Sequence, residues 1–278
     1  MNSDWILLEN FIRNHPLEAA RILERQGLEE TASLFSELPV ELATSLLKKM
    51  QSSTAVKCLE LMPILDSAKI LEKLPLDIVA LFLRQVANTR REEILSKISE
   101  EIASLLRTML LYPENSAGAL ADPLIFSLPE DITVEEALDR IRARPGTAIY
   151  YVYIVNRENI LRGVINLREL MLAKSHAKLS GVMQTNVAAL PAEFNLQAII
   201  NFPSWKNYHA LPVVSASGLL LGAIRYETLR QIESEVKSAR LPRQVVAAGS
   251  ALGELFQIGL SGLIQSATTK FIEPSREE

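Results

Sequence analysis

Three histidines, one cysteine and one pair of spaced glycines are the residues of this chain whose types most often do chemistry. His15, His176 and His209 lie far apart, and none has a second histidine or a carboxylate at the spacing a metal ion requires. His15, directly before Pro16, reads as a turn residue. Cys58 sits at an apolar helical position between Val56 and Leu59, which describes a buried thiol rather than a nucleophile. Standing alone, it excludes an internal disulfide and a cysteine-cluster metal site. Gly249-Ser-Ala-Leu-Gly253 has neither the third glycine nor the lysine of a phosphate loop, and reads as flexibility before a helix. There is no Gly-x-Ser-x-Gly elbow. Tyr150, Tyr151 and Tyr153 fall on both faces of one strand, which sheet packing explains more simply than base stacking. No catalytic constellation emerges, and a non-enzymatic protein is expected.

The elements that must carry any site follow from composition and pattern. The chain has 278 residues, 48% hydrophobic and 22% charged, with a net charge of −4, which suits two ordinary domains. It offers no basic stripe for phosphate neutralisation, so nucleic acid is excluded as a partner. The first residues show no cationic region followed by an apolar stretch, and a cytoplasmic location is the expectation. No apolar run reaches the roughly 20 residues of a transmembrane helix. The nearest, Val245 to Ala267, is broken by Ser250, Glu254, Gln257, Ser261 and Gln265, with Leu252, Leu255, Phe256, Leu260 and Leu263 on the other side. That is an amphipathic helix, and with no Lys or Arg between Arg243 and Lys270 it suits a protein surface better than a membrane surface.

Up to about Tyr112 the sequence is rich in Leu, Ala and Glu, poor in glycine and punctuated by proline. Pro16, Pro39 and Pro75 each have an acid two residues later, and Pro63 has Asp66 three later. Proline suits the first helical position and a carboxylate in the first turn suits the helix dipole, so each marks a helix start. Pro39, Pro63 and Pro75 are spaced in multiples of twelve, which predicts a short helix-plus-turn unit stacking into a superhelix.

After the turn-rich joint Tyr112-Pro-Glu-Asn-Ser-Ala-Gly118, short β-branched runs alternate with helices. Strands are predicted near 124–127, 149–155 and 161–165, with helices over 134–142 (capped by Thr133) and 167–173. The order then repeats, with strands over 187–190, 210–214 and 219–224 and helices over 196–202 and 226–236. The segment from Tyr153 through Gly163 to Leu170 lies on that from Leu211 through Gly222 to Leu229, giving two copies of one βαββα unit.

Strand, polar turn, strand ending in Gly-x-x and short helix, twice over, resembles a pair of cystathionine-β-synthase (CBS) domains. Together with the proline-spaced stack and the Tyr112–Gly118 joint, the span from about His15 to Val236 is similar to the cytosolic part of the MgtE family of magnesium transporters. Further support comes from the strings 149–155, 167–170 and 210–214. The fold class implied is multi-domain, α + α/β: an all-α superhelical stack over 1–118, a tandem CBS pair over 119–238 (about 119–178 and 179–238), and a C-terminal amphipathic helix and tail over 239–278.

The resemblance also implies function. A cytoplasmic regulatory or sensor protein related to the gating part of magnesium transporters is expected, non-catalytic, and acting through domain rearrangement or partner docking. The alternatives are an adenine-nucleotide-binding CBS regulator and a helical-repeat adaptor. A homodimer through the CBS pair and a membrane transporter or other protein docked on the C-terminal helix are the implied partners. The family binds magnesium through carboxylates between stack and pair. Here no aspartate follows Asp139, and Asn156, Gln184, Asn186, Ser215 and Thr228 stand at the acidic positions, so weak magnesium binding at most is expected and no metal ligand is assigned. Adenosine phosphates in CBS pairs meet a Ser/Thr followed three residues later by Asp. The first unit has Asn166 and Glu169 there, the candidate nucleotide residues, and the second has Arg225 and Thr228. On its own residues, Asn166 reads equally well as an N-cap.

Overall fold

Helix starts in the first hundred residues keep a fixed register. The structure, a computed structural model describing residues 3–143, 151–230 and 232, places the residues that precede successive helices at His15, Gly27, Pro39, Gln51, Pro63, Pro75 and Ala87. The twelve-residue unit read from three prolines therefore runs on through positions that hold none. The helices are α1 (Ser3–Asn14), α2 (Pro16–Leu23), α3 (Leu28–Glu37), α4 (Val40–Leu47), α5 (Ser52–Leu61), α6 (Ile64–Leu71), α7 (Leu76–Gln85), α8 (Asn88–Leu95) and α9 (Glu100–Leu110). Lengths alternate: α2, α4, α6 and α8 have eight residues, and α3, α5 and α7 have ten. Each packs on the helix two places along, α2 on α4 on α6 on α8 in one row and α3 on α5 on α7 in the other. Helices this short are marginal alone, and burial of Phe35, Leu46, Leu59, Ile70 and Leu83 between neighbours supplies the stability. Cys58 is fully buried in this core, and burial pushes its thiol up to about 11.

Proline does not sit where the sequence predicts. Pro39, Pro63 and Pro75 occupy the extended residue before the first helical one, with ψ of 136°, 138° and 140°, and Pro16 alone stands in the first turn. At this position the backbone N–H has no partner inside the helix, and proline removes the group. At three positions that are not proline, a carboxylate from 27 residues earlier takes the N–H: Glu24 for Gln51, Glu60 for Ala87 at 3.2 Å and Glu72 for Ser99 at 2.7 Å. The residues 27 before Pro39, Pro63 and Pro75 are Ile12, Ser36 and Lys48, none of them acidic.

The described residues form two units that divide in the chain between Leu106 and Arg107. In the second, the joint leads into α10 (Ala117–Leu120). A Cβ on Gly118 would lie 2.5 Å from the Tyr112 ring, so only glycine lets that ring rest there. The backbone N–H groups of Ala117 and Gly118 donate to Phe194 and Ala192 oxygens, both at 2.8 Å. The pair follows as β1 (Ser127–Pro129), α11 (Val134–Arg142), β2 (Tyr151–Val155), β3 (Leu161–Asn166) and α12 (Leu167–Leu172), then β4 (Leu190–Pro191), α13 (Leu196–Ile200), β5 (Ala210–Val214) and β6 (Leu220–Arg225), with residues 226–230 helical. Thr133 caps α11 through a capping box with Glu136, as its sequence predicts. β1 and β4 begin later than the sequence suggests, because parallel pairing fixes them, Leu128 opposite Ile154 and Leu190 opposite Val213. α13 stops at Ile200 ahead of Pro203. Residues 149–150, the helix beyond 230 and the amphipathic segment 245–267 lie outside the described residues.

The two sheets have the orders β1-β2-β3 and β4-β5-β6. Pairing in the second copies the first at a constant offset of 59: Tyr151 with Asn166 and Ala210 with Arg225, Ile154 with Gly163 and Val213 with Gly222. Tyr153 therefore corresponds to Pro212, one place on from the Leu211 of the sequence alignment. The hairpin turns meet reciprocally, Leu161 N–H to Gly218 O at 3.0 Å and Leu220 N–H to Asn159 O at 2.9 Å. Asn159 and Gly218 hold the same left-handed turn position, at φ of 59° and 82°. The segment entering each half pairs with the last strand of the other: Gln184 exchanges backbone hydrogen bonds with Val164 at 2.9 and 3.0 Å, and Asp122 does so with Ala223 at 2.9 and 3.0 Å.

Candidate functional site

The reciprocal crossing leaves a recess between the two halves. Tyr151 and Tyr153 of β2, Val164 of β3, Asn186 to Ala188 ahead of β4, Tyr208, and Ala210 to Pro212 of β5 line it. Tyr151 and Tyr208 close it edge to face, with ring centroids 6.3 Å apart and planes at 61°. About 20 Å³ is open to the centre of a water molecule, so the rings must part to admit anything larger. Tyr153 is 3% exposed, yet its hydroxyl has no hydrogen-bond partner among the described residues. Burial, with Tyr151 beside it, drives its pKa well above the ordinary phenol value, partly offset by Arg225, so the group is a neutral hydroxyl.

Asn166 stands opposite Tyr151 in the β2–β3 ladder, at the edge of this recess, and Glu169 lies one turn into α12. The structure thus brings the two sequence-predicted residues together. They form a capping box: Glu169 N–H donates to Asn166 Oδ1 at 2.8 Å, and Asn166 N–H donates to Glu169 Oε2 at 3.3 Å. Gln184 Nε2 donates to the other carboxylate oxygen, Oε1, at 2.8 Å. The capping role is therefore real, and it also fixes a carboxylate whose oxygens keep further lone pairs.

The equivalent place in the second half is built otherwise. Arg225 Nη2 pairs with Asp122 Oδ2 at 3.0 Å, with side chains 61% and 38% exposed. Ala210 and Pro212 stand where the first half has Tyr151 and Tyr153.

The remaining candidates have local partners. Asn156 Oδ1 accepts from Glu158 and Ile160 N–H at 3.1 and 2.8 Å, and Ser215 Oγ accepts from Leu219 N–H at 3.1 Å while bonding Ser217 Oγ at 2.9 Å. Both hold their hairpin turns. His15 lies against Phe11 with ring centroids 5.4 Å apart. Among the described residues no three His, Cys, Asp or Glu side chains gather as a metal-binding group.

Sequence reasoning missed Tyr208 and the contact of Gln184. Tyr208 carries a readable signal, an aromatic residue two positions before a predicted strand in a turn otherwise polar. The Gln184–Glu169 contact carries none, since it depends on the crossing of two segments.

Residues 14–115 match the MgtE intracellular N domain and residues 118–176 match the CBS domain. The magnesium transporter MgtE of Thermus thermophilus is 28% identical over 134 residues, 48% of this chain and 29% of the transporter. That of Bacillus subtilis is 22% identical over 216 residues, 77% of this chain and 48% of the transporter. The chain thus spans less than half the length of these relatives. Among solved structures, the cytosolic domain of the Mg2+ channel MgtE in complex with ATP has a TM-score of 0.59 at 23% identity, covering 77% of this chain and 93% of that one. The soluble part of a magnesium transporter gives 0.58 at 20%, covering 84% and 98%. The CBS pair domain of a putative Mg2+ transporter from Shewanella oneidensis gives 0.51 at 17%, covering 60% and 98%. These bear out the helical N-terminal domain followed by a CBS pair. No helix among the described residues is long and apolar enough to cross a membrane.

Proposed function

Since the chain carries an MgtE N domain followed by a CBS domain and is homologous to MgtE transporters, we propose that it is a non-catalytic cytoplasmic regulatory protein whose CBS pair takes up an adenine nucleotide in the Tyr151–Tyr208 recess. The observation that carries the reading is the buried Tyr153 hydroxyl, without a partner among the described residues, in a recess closed by the Tyr151 and Tyr208 rings. A purine stacks on tyrosine whatever its edge pattern, and the neutral hydroxyl gives that edge a partner it otherwise lacks. Glu169 offers acceptor oxygens to ribose hydroxyls. The solved MgtE cytosolic domain with a like fold is described in complex with ATP.

Because binding must part Tyr151 from Tyr208, which belong to different halves of the pair, occupancy reports itself as a movement between halves. In this reading the protein acts on magnesium transport through such a rearrangement, with its relatives' magnesium as the regulated ion. Direct magnesium binding is weak, since the Asn156 and Ser215 oxygens already serve their turns. Exposed Met171 and Leu172 on α12, at 67% and 77%, favour a homodimer through the CBS pair, and the segment over 239–278 is the docking element for a transporter or other protein.

Titration calorimetry of the full chain with ATP and AMP tests the nucleotide reading. One site per chain is expected, and Tyr151→Ala and Tyr208→Ala should each weaken it tenfold or more, from about 1–3 kcal/mol per stacked base. No heat with either nucleotide would overturn it. Magnesium-dependent compaction in small-angle scattering without nucleotide would favour a direct magnesium sensor instead.

A further inference from the structure

We propose that Gln184 is the positioning residue of the recess, holding the Glu169 carboxylate from the opposite half of the pair and so setting the site to a ribose that bears a 2′-hydroxyl. The inference rests on the nucleotide reading above and adds a residue and a selectivity to it.

Gln184 starts from a fixed point, because its backbone exchanges two hydrogen bonds with Val164, a residue of the recess wall. Its side chain then reaches Glu169, with Nε2 2.8 Å from Oε1. Among the described residues, the other oxygen of that carboxylate is held only by the Asn166 backbone N–H, at a longer 3.3 Å. Without Gln184, one weak bond is left to choose the orientation of Glu169, whose side chain has several rotamers to populate. With it, both oxygens are pinned and each still has a lone pair to offer a hydroxyl. Two residues further along the same segment, Asn186 lines the recess, so the carboxylate and the recess wall are placed by one stretch of chain.

The second half supplies an internal control. Asp122 occupies the corresponding crossing position, with the same backbone exchange to Ala223, and its side chain also reaches the end of the last strand of the other half. There it pairs with Arg225 at 3.0 Å, so the carboxylate belongs to the crossing residue itself and not to the helix start. The crossing residue is thus where each side's polar chemistry is decided. Only on the Gln184 side does the crossing residue hold a carboxylate at the start of the following helix.

The test compares ATP with 2′-deoxy-ATP by calorimetry on the full chain, as wild type, Gln184→Ala, Gln184→Glu and Glu169→Ala. Wild type should prefer ATP about tenfold, the worth of one hydrogen bond to a charged acceptor. Gln184→Ala should keep binding ATP through the tyrosines while the preference falls below about threefold. Gln184→Glu, of the same size but opposing Glu169 with a like charge, should reduce the preference likewise, and it carries the test if the alanine variant does not fold. A full preference retained in either Gln184 variant but lost in Glu169→Ala overturns the role of Gln184 and leaves the nucleotide site intact. Equal wild-type affinity for the two nucleotides overturns the selectivity. Absence of binding to wild type overturns the site itself.

Discussion

Both units of this protein are repeats, and they have diverged under different constraints. In the helical stack, loss of proline at a helix start is met by gain of a carboxylate 27 residues earlier, at Gln51, Ala87 and Ser99. From Pro39 to Ser99 each such backbone N–H is either removed or satisfied. In the CBS pair the backbone has been kept equally well, with the same ladder, the same left-handed turn residue and the same crossing. The side chains at equivalent positions have nonetheless parted: Tyr151, Tyr153 and Asn166 in one half, Ala210, Pro212 and Arg225 in the other. A stack needs all its units to remain alike in order to propagate. A two-fold pair holds its shape through backbone pairing, which leaves the side chains at equivalent positions free to differ.

The largest effect that bears on this contrast lies at the two glycines of the crossing. A Cβ on Gly222 would stand 2.4 Å from the Asp122 backbone oxygen, which its own pairing holds in place, whereas one on Gly163 would meet Sδ and Cγ of Met183 at 2.6 and 2.7 Å. Gly222→Ala is expected to cost about 3 kcal/mol and Gly163→Ala about half that, because a methionine side chain can turn away and a paired backbone cannot. Denaturant unfolding of the two variants measures this. Equal losses would mean that the Met183 side chain yields no more readily than the paired backbone of Asp122.

A smaller effect tests the compensation in the stack. Glu60→Ala leaves the Ala87 N–H without its carboxylate and should cost about 1 kcal/mol, as loss of a helix cap does. Ala87 already has φ of −54° and ψ of 140°, and Val86 before it is extended, so proline fits there. Ala87→Pro should therefore be close to neutral in wild type and restore most of the loss in Glu60→Ala. A double-mutant cycle by thermal unfolding gives the coupling, and additive losses would show that carboxylate and proline are not interchangeable.

How much of this the sequence disclosed follows the range of each interaction. Pro39, Pro63 and Pro75 declared the twelve-residue register because a helix start is a local event, and Thr133 with Glu136 declared the capping box for the same reason. Gly163 and Gly222 aligned the two halves, although a one-residue slip at Tyr153 was left for the ladder pairing to settle. Asn166 and Glu169 could be singled out as a pair, and their capping role could be weighed. What stayed hidden involves partners set by crossing: Gln184 on Glu169, Asp122 on Arg225 at 103 positions' remove, and the carboxylates that reach an N–H two helices further along the chain. β1 and β4 were misplaced because a strand of two or three residues is defined by what it pairs with.

The smallest effect concerns the Arg225–Asp122 pair. Arg225 and Asp122 are well exposed, and Asp122 is independently held through Leu124 N–H on Oδ1 at 2.9 Å and its backbone exchange with Ala223. Arg225→Ala should then cost less than about 1 kcal/mol, and the cost should shrink further in high salt. The same substitution should not open a second nucleotide site. Nor should Arg225→Asn with Thr228→Glu, which recreates the Asn166–Glu169 pair, because Ala210 and Pro212 still supply neither a ring nor a buried hydroxyl. Calorimetric stoichiometry decides the matter. One ATP per chain in the double variant places the discrimination between the halves in the aromatic residues of the strand, whereas a second site would place it in the helix-start pair alone.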